Sequence, residues 1–141
     1  MLEPPDARPI AGGKYRLHGD YTYESLGPTP FTMTVPDGFI WDGSSVPRFL
    51  WTISGITPDG LMRAGALIHD YLYRNGGVVS TCTVKFSRKD ADVLFYTINR
   101  QAGCNWWTAI RAYRAVRLFG WLAWRKPSNG RKDVLASRMR A

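Results

Sequence analysis

His69 and Asp70 stand side by side in GALIHDYLYRNGG, residues 65–77, with Tyr73 one helical turn beyond the histidine. A histidine oriented by a carboxylate is a competent general base toward water, and an adjacent carboxylate can hold a cation that polarises a carbonyl or phosphoryl oxygen. On a helix advancing about 100° per residue, His69 falls at the edge of the apolar face, Tyr73 lies on the same side, and Asp70 turns toward solvent. Asp92, in SRKDADVLFYTINRQAG, holds the same kind of border position on the following helix, with Phe95 and Asn99 on its stripe. Antiparallel packing of the two helices brings Asp92 to a ring nitrogen of His69. His69, Tyr73 and Asp92 are therefore the catalytic candidates, and Asp70 is a candidate metal ligand. The alternative is a polar clamp in which His69 only bonds Asp92; a bare His-Asp pair favours it, and the HDxxY spacing with a later carboxylate brings the two readings near balance.

The remaining reactive groups narrow the chemistry. His18 lies in a strand region beside Gly19-Asp20 and reads as a surface residue, and two histidines are too few for HExxH or for a metal-dependent HD phosphohydrolase. Ser44-Ser45 lacks the GxSxG elbow of a serine hydrolase. In WDGSSVPR, Arg48 is expected to pair with Asp42 across the loop, and Ser45 and Arg48 read as loop support more than as catalysts. Cys82 and Cys104 have no CxxC partner and no histidine at ligand spacing, which excludes a structural zinc of their own.

The elements that must position these residues follow from periodicity. Residues 1–13 are rich in Pro and Gly and read as an irregular lead-in. KYRLHGDYTYES and FTMTVPDGFIWD alternate with period two (Tyr15/Leu17, then Phe31/Met33/Val35) about the LGPTP turn, predicting two or three strands of an antiparallel sheet. Asp59 is the expected N-cap of a first helix with Leu61, Ala64, Gly65, Ile68 and Leu72 on one face, stopped by Asn75-Gly76-Gly77. A Ser87-x-x-Asp90 capping box opens the second helix, which puts Ala91, Leu94, Phe95, Ile98 and Ala102 on one face and ends at Gly103. The third starts after Asn105 and runs through WWTAIRAYRAVRLFGWLAW, with Trp106, Ile110, Tyr113, Gly120 and Trp124 as the expected core stripe. The fold class is α+β: a small antiparallel sheet, then a three-helix unit containing an antiparallel helix hairpin. With 141 residues, 45% hydrophobic, the chain supports one core, so residues 1–124 form one domain and 125–141 a basic tail or short docking helix.

Charge divides the chain sharply. Residues 1–104 hold ten Lys/Arg against ten Asp/Glu, whereas residues 105–141 hold nine Lys/Arg against Asp133 alone. A neutral body carries a basic end, and Arg111, Arg114, Arg117, Arg125 and Lys126 are its partner-binding candidates. Core packing is the first reading of the aromatic helix itself; an anionic membrane surface, a protein partner favouring Arg and Trp, and nucleic acid follow, the last without a recognised binding motif. No stretch is apolar enough to span a membrane or to serve as a signal peptide, so the host cytoplasm or a particle is the expected location.

Two resemblances bear on function. HDYLY matches the HDxxY helix motif of the phospholipase A2 superfamily, which implies His69 as the water-activating base, Asp92 as its orienting carboxylate, Tyr73 as support and Asp70 as a calcium ligand. That superfamily draws further calcium ligands from a glycine-rich loop; here WDGSSVPR has only Gly43, with Asp42 or Ser45 in that place. Over most of the chain, VPDGFIWDGSSVPRFLW, AGALIHDYLYRNGG, SRKDADVLFYTINRQAG and AYRAVRLFGWLAW resemble, in order, an uncharacterised family of phage and prophage proteins. That resemblance implies a bacteriophage origin and no particular activity. The expected function is an accessory or virion-associated protein, in tail or assembly, that binds a phage or host protein through its basic Trp-rich end. The alternative is a small calcium-assisted lipase or esterase.

Overall fold

A computed structural model describes residues 2–41 and 60–125. Five strands come first: β1 (Ala7–Ile10), β2 (Lys14–Leu17), β3 (Tyr21–Ser25), β4 (Phe31–Val35) and β5 (Ile40–Trp41). They form two antiparallel sheets, one ordered β1-β2-β5 and one made of the β3-β4 hairpin. Residues 7–10, expected to be irregular, are a strand. Gly12 and Gly13 both take positive φ and turn the chain so that Ile10 pairs with Lys14 and Ala7 with Leu17. Composition alone hid this strand, because its residues show no apolar alternation and three of its four are exposed.

Three helices follow: α1 (Arg63–Arg74), entered through a 3-10 turn at Gly60–Met62, α2 (Arg88–Gln101) and α3 (Trp106–Phe119). The α1 stop signal works as the sequence implies, with Gly76 and Gly77 at positive φ and the Gly77 amide bonded to the Leu72 carbonyl at 2.9 Å. At α2 both halves of the Ser87/Asp90 capping box are made, worth about 1 kcal/mol. Asn105 caps α3 by accepting from the Thr108 amide at 2.8 Å. The expected α1 cap, Asp59, lies outside the described residues.

α1 is the central helix, and every residue from Ala64 to Tyr73 is buried. One side packs on the strands, through Leu17, Tyr23, Met33, Val35 and Trp41. Phe39 stands edge-on to Tyr71, and the Arg74 guanidinium lies over the Phe39 ring. The other side meets α2: Gly65 lies against Asn99 and Phe95, while His69 and Tyr73 bond Asp92. As the α1 number rises its α2 partner's falls, so this is the expected antiparallel hairpin. A helix covered by strands on one side and by a second helix on the other keeps no stripe for solvent. For that reason Asp70, expected to turn toward solvent, is instead only 4% exposed.

α3 corrects a second expectation. Its inward face is the small-residue one, Ala109, Ala112, Ala115 and Val116, which joins Met62, Phe95 and Cys104 in a second core cluster. Of the expected stripe, Trp106 is exposed and Ile110 and Tyr113 are only partly buried, whereas Gly120 is buried and Trp124 packs edge-on against Tyr73 at the rim of the core. Alanines bring the α2 and α3 backbones close, and the bulky side chains are thereby left outside. The α-helix ends at Phe119 rather than continuing to Trp124; a 3-10 turn, Gly120–Leu122, replaces its last turn. Gly120 lies so close to Tyr73 that a Cβ there would stand 2.4 Å from the hydroxyl. No helix among the described residues is long and apolar enough to cross a membrane.

Candidate functional site

Asp92 is the centre of a polar cluster joining all three helices, and it is fully buried. Its Oδ1 accepts from His69 Nε2 at 2.7 Å and from the Tyr73 hydroxyl at 2.5 Å. A carboxylate only accepts, so the histidine carries its proton on Nε2 in this bond. Oδ2 accepts from Arg117 at 2.8 Å and from Arg88 at 3.4 Å. Arg88 also donates to the carbonyls of Val116 and Arg117, satisfying the C-terminal end of α3 from the first turn of α2.

The electrostatics follow from this geometry. Burial pushes the Asp92 carboxyl up, but the bonds from His69, Tyr73 and Arg117 outweigh it and hold the group below the usual carboxylate range. The Tyr73 hydroxyl is raised well above its ordinary value, first by burial and then by the Asp92 carboxylate. Asp92 is thus a fixed anion and Tyr73 a fixed neutral donor.

The sequence-derived set His69, Tyr73 and Asp92 is brought together as expected. The ring of His69 is only 1% exposed, packed between Tyr73 at 4.1 Å and Phe95 at 4.8 Å between centroids. A general base needs water and substrate within hydrogen-bond reach of the nitrogen that takes the proton, and this ring sits inside a helix interface. The carboxylate, moreover, serves two arginines as well as the histidine. Such a cluster cross-links helices; removing one partner of a buried charge pair typically costs about 3–5 kcal/mol.

The other candidates fall elsewhere. Asp42, Ser45, Arg48 and Lys126 lie outside the described residues. Asp70 is buried on α1, and among the described residues no group of three or more His, Cys, Asp and Glu is placed to hold a metal ion. Among the partner-binding candidates, Arg111, Arg114 and Arg125 are exposed, whereas Arg117 reaches inward to Asp92. Arg88 was missed by sequence reasoning. Its signal is the i, i+4 spacing to Asp92 within the capping-box turn.

Sequence reasoning marks the Trp-rich end as the binding region but does not show which apolar side chains of α3 stand outside. Trp107 is 64% exposed and Leu118 66%, and in the 3-10 turn that follows Trp121 and Leu122 are equally open. Trp107, Arg111, Arg114 and Leu118 fall within about 40° of one line along the helix. The signal was present in the sequence: Ala109, Ala112 and Val116 recur at spacings of three and four, and mark the inward face.

A family of proteins of unknown function, DUF1353, matches residues 15–116, and the chain belongs to it. The match runs from β2 into the last turns of α3 and takes in His69, Tyr73, Arg88 and Asp92. No curated protein and no solved structure matches the chain.

Proposed function

We propose that this is a phage-type accessory protein, of the particle or of its assembly, that acts by binding a protein partner through the outward face of α3. The observation that carries the reading is the exposed line Trp107, Arg111, Arg114, Leu118, continued by Trp121 and Leu122. Large apolar side chains gathered on one surface mark interaction sites, and Trp and Arg are the residues most favoured at interface hot spots. The resemblance of four ordered motifs to phage and prophage proteins supports the setting. The buried cluster at Asp92 serves this function indirectly, by fixing α3 on α1 and α2 so that its outer face is a rigid platform.

Calcium-assisted hydrolysis at His69, the second reading, is disfavoured by the closure of the ring. Calcium-dependent fatty-acid release from phospholipid micelles that disappears in His69→Gln would restore it. The binding reading is tested with a photo-reactive phenylalanine analogue at position 118 in cells that carry the gene and its phage. The expected result is one protein adduct, with none from the same group at the exposed Glu24 of β3. Absence of any protein adduct at 118 overturns the proposal.

A further inference from the structure

The chemistry of the α3 face restricts what can lie on it. Residues 105–125 contain no Asp or Glu, and Arg111 and Arg114 are exposed with no bond to a described side chain. A second copy laid face to face would set arginine against arginine. Residues 126–141 of the same chain carry five Lys/Arg against Asp133, so like charge opposes that segment as well. The occupant is acidic.

It is also apolar, and it is a protein. An interfacial helix keeps its cations on the polar face, with the apolar face turned to the acyl chains. Here Arg111 and Arg114 interleave with Trp107 and Leu118 on one line, so insertion of the apolar groups would drag both guanidinium groups into the lipid. Single-stranded nucleic acid suits Trp and Arg but offers nothing to cover Leu118 and Leu122, both about two-thirds exposed.

Shape then limits the class of protein segment. α3 is a convex ridge with no open strand edge, so added-strand pairing is not available to it, and a helix laid along it is the complementary solution. Beside its first turn, Asn105, Trp106, Trp107, Thr108 and Arg111 border a shallow hollow open to solvent, where an apolar side chain can lie next to a guanidinium. Arg111 and Arg114 are separated by about 4.5 Å of helix rise, a spacing that carboxylates one turn apart on a second helix match.

We infer that the partner presents an acidic amphipathic helix to α3, its carboxylates one turn apart against Arg111 and Arg114 and its apolar side chains against Trp107 at one end and Leu118, Trp121 and Leu122 at the other. This rests on the docking reading above and specifies the occupant. The test is selection of binders from a random 20-residue peptide library displayed on yeast, with the full chain as bait. Enriched peptides are expected to carry Asp or Glu at i, i+3 or i, i+4 flanked by apolar residues at helical spacing, and to lose at least tenfold in binding to Arg111→Glu/Arg114→Glu. A Glu-to-Lys version of an enriched peptide is expected to bind that charge-reversed variant. Enriched peptides without helical periodicity, or indifferent to the arginine reversal, overturn the inference, as does absence of enrichment. So does tighter binding to phosphatidylglycerol vesicles or to oligo(dT) through the same two arginines. A protein adduct at position 118 together with a failed selection would leave docking standing and remove the helix; no adduct removes both.

Discussion

Asp92 receives four donors on two oxygens with no exposure to water, and this one residue explains why a pair that reads as a hydrolytic site is better understood as a fastening. Asp92→Asn keeps the shape but removes the charge that Arg88 and Arg117 face; it is expected to cost about 3 kcal/mol in chemical denaturation at neutral pH. The native carboxyl is held below its ordinary value, so its contribution is full above about pH 4 and fades as acid protonates it. The gap between wild type and Asp92→Asn should therefore narrow below that pH. Tyr73 has the opposite sign. Its hydroxyl is raised in the fold, so above about pH 10 the unfolded chain ionises first, and wild type should lose stability relative to Tyr73→Phe. The meeting of His69, Tyr73 and Asp92 was legible in the sequence because helical spacing fixes it. Their closure from water was not, since it depends on what packs around α1 from sheet and helices alike.

Close approach, more than apolar area, sets the relation between helices. At Gly65 a Cβ would stand 2.2 Å from Oδ1 of Asn99, a buried side chain whose amide has no hydrogen-bond partner among the described residues. Gly65→Ala is expected to cost about 1–3 kcal/mol, and most of that cost should vanish in an Asn99→Ala background, a coupling that a double-mutant cycle of melts would show. Gly120→Ala, pressed on Tyr73, should be destabilising by a similar amount and, unlike Gly65→Ala, indifferent to Asn99. Helix ends were readable from Ser87, Asp90, Asn105, Gly76 and Gly77, because caps are local chemistry. The orientation of α3 was misjudged because Trp and Tyr carry the larger hydrophobicity, whereas the alanines carry the closer fit. β1 was missed because its pairing depends on two glycines rather than on its own pattern.

On the scale of the whole molecule, labour is divided between a neutral body that holds α3 in place and the basic, aromatic face that α3 exposes. The α+β class and the charge asymmetry were both legible in the sequence; which side of α3 would face outward was not. The most direct measurement combines a melt with the photo-crosslink at position 118 in Arg111→Glu/Arg114→Glu. Both arginines are exposed and bond no described side chain, and surface substitutions away from such contacts stay within about 0.5 kcal/mol. The account predicts an unchanged melting temperature together with at least a tenfold loss of the protein adduct. An adduct of undiminished yield in a folded variant would contradict it.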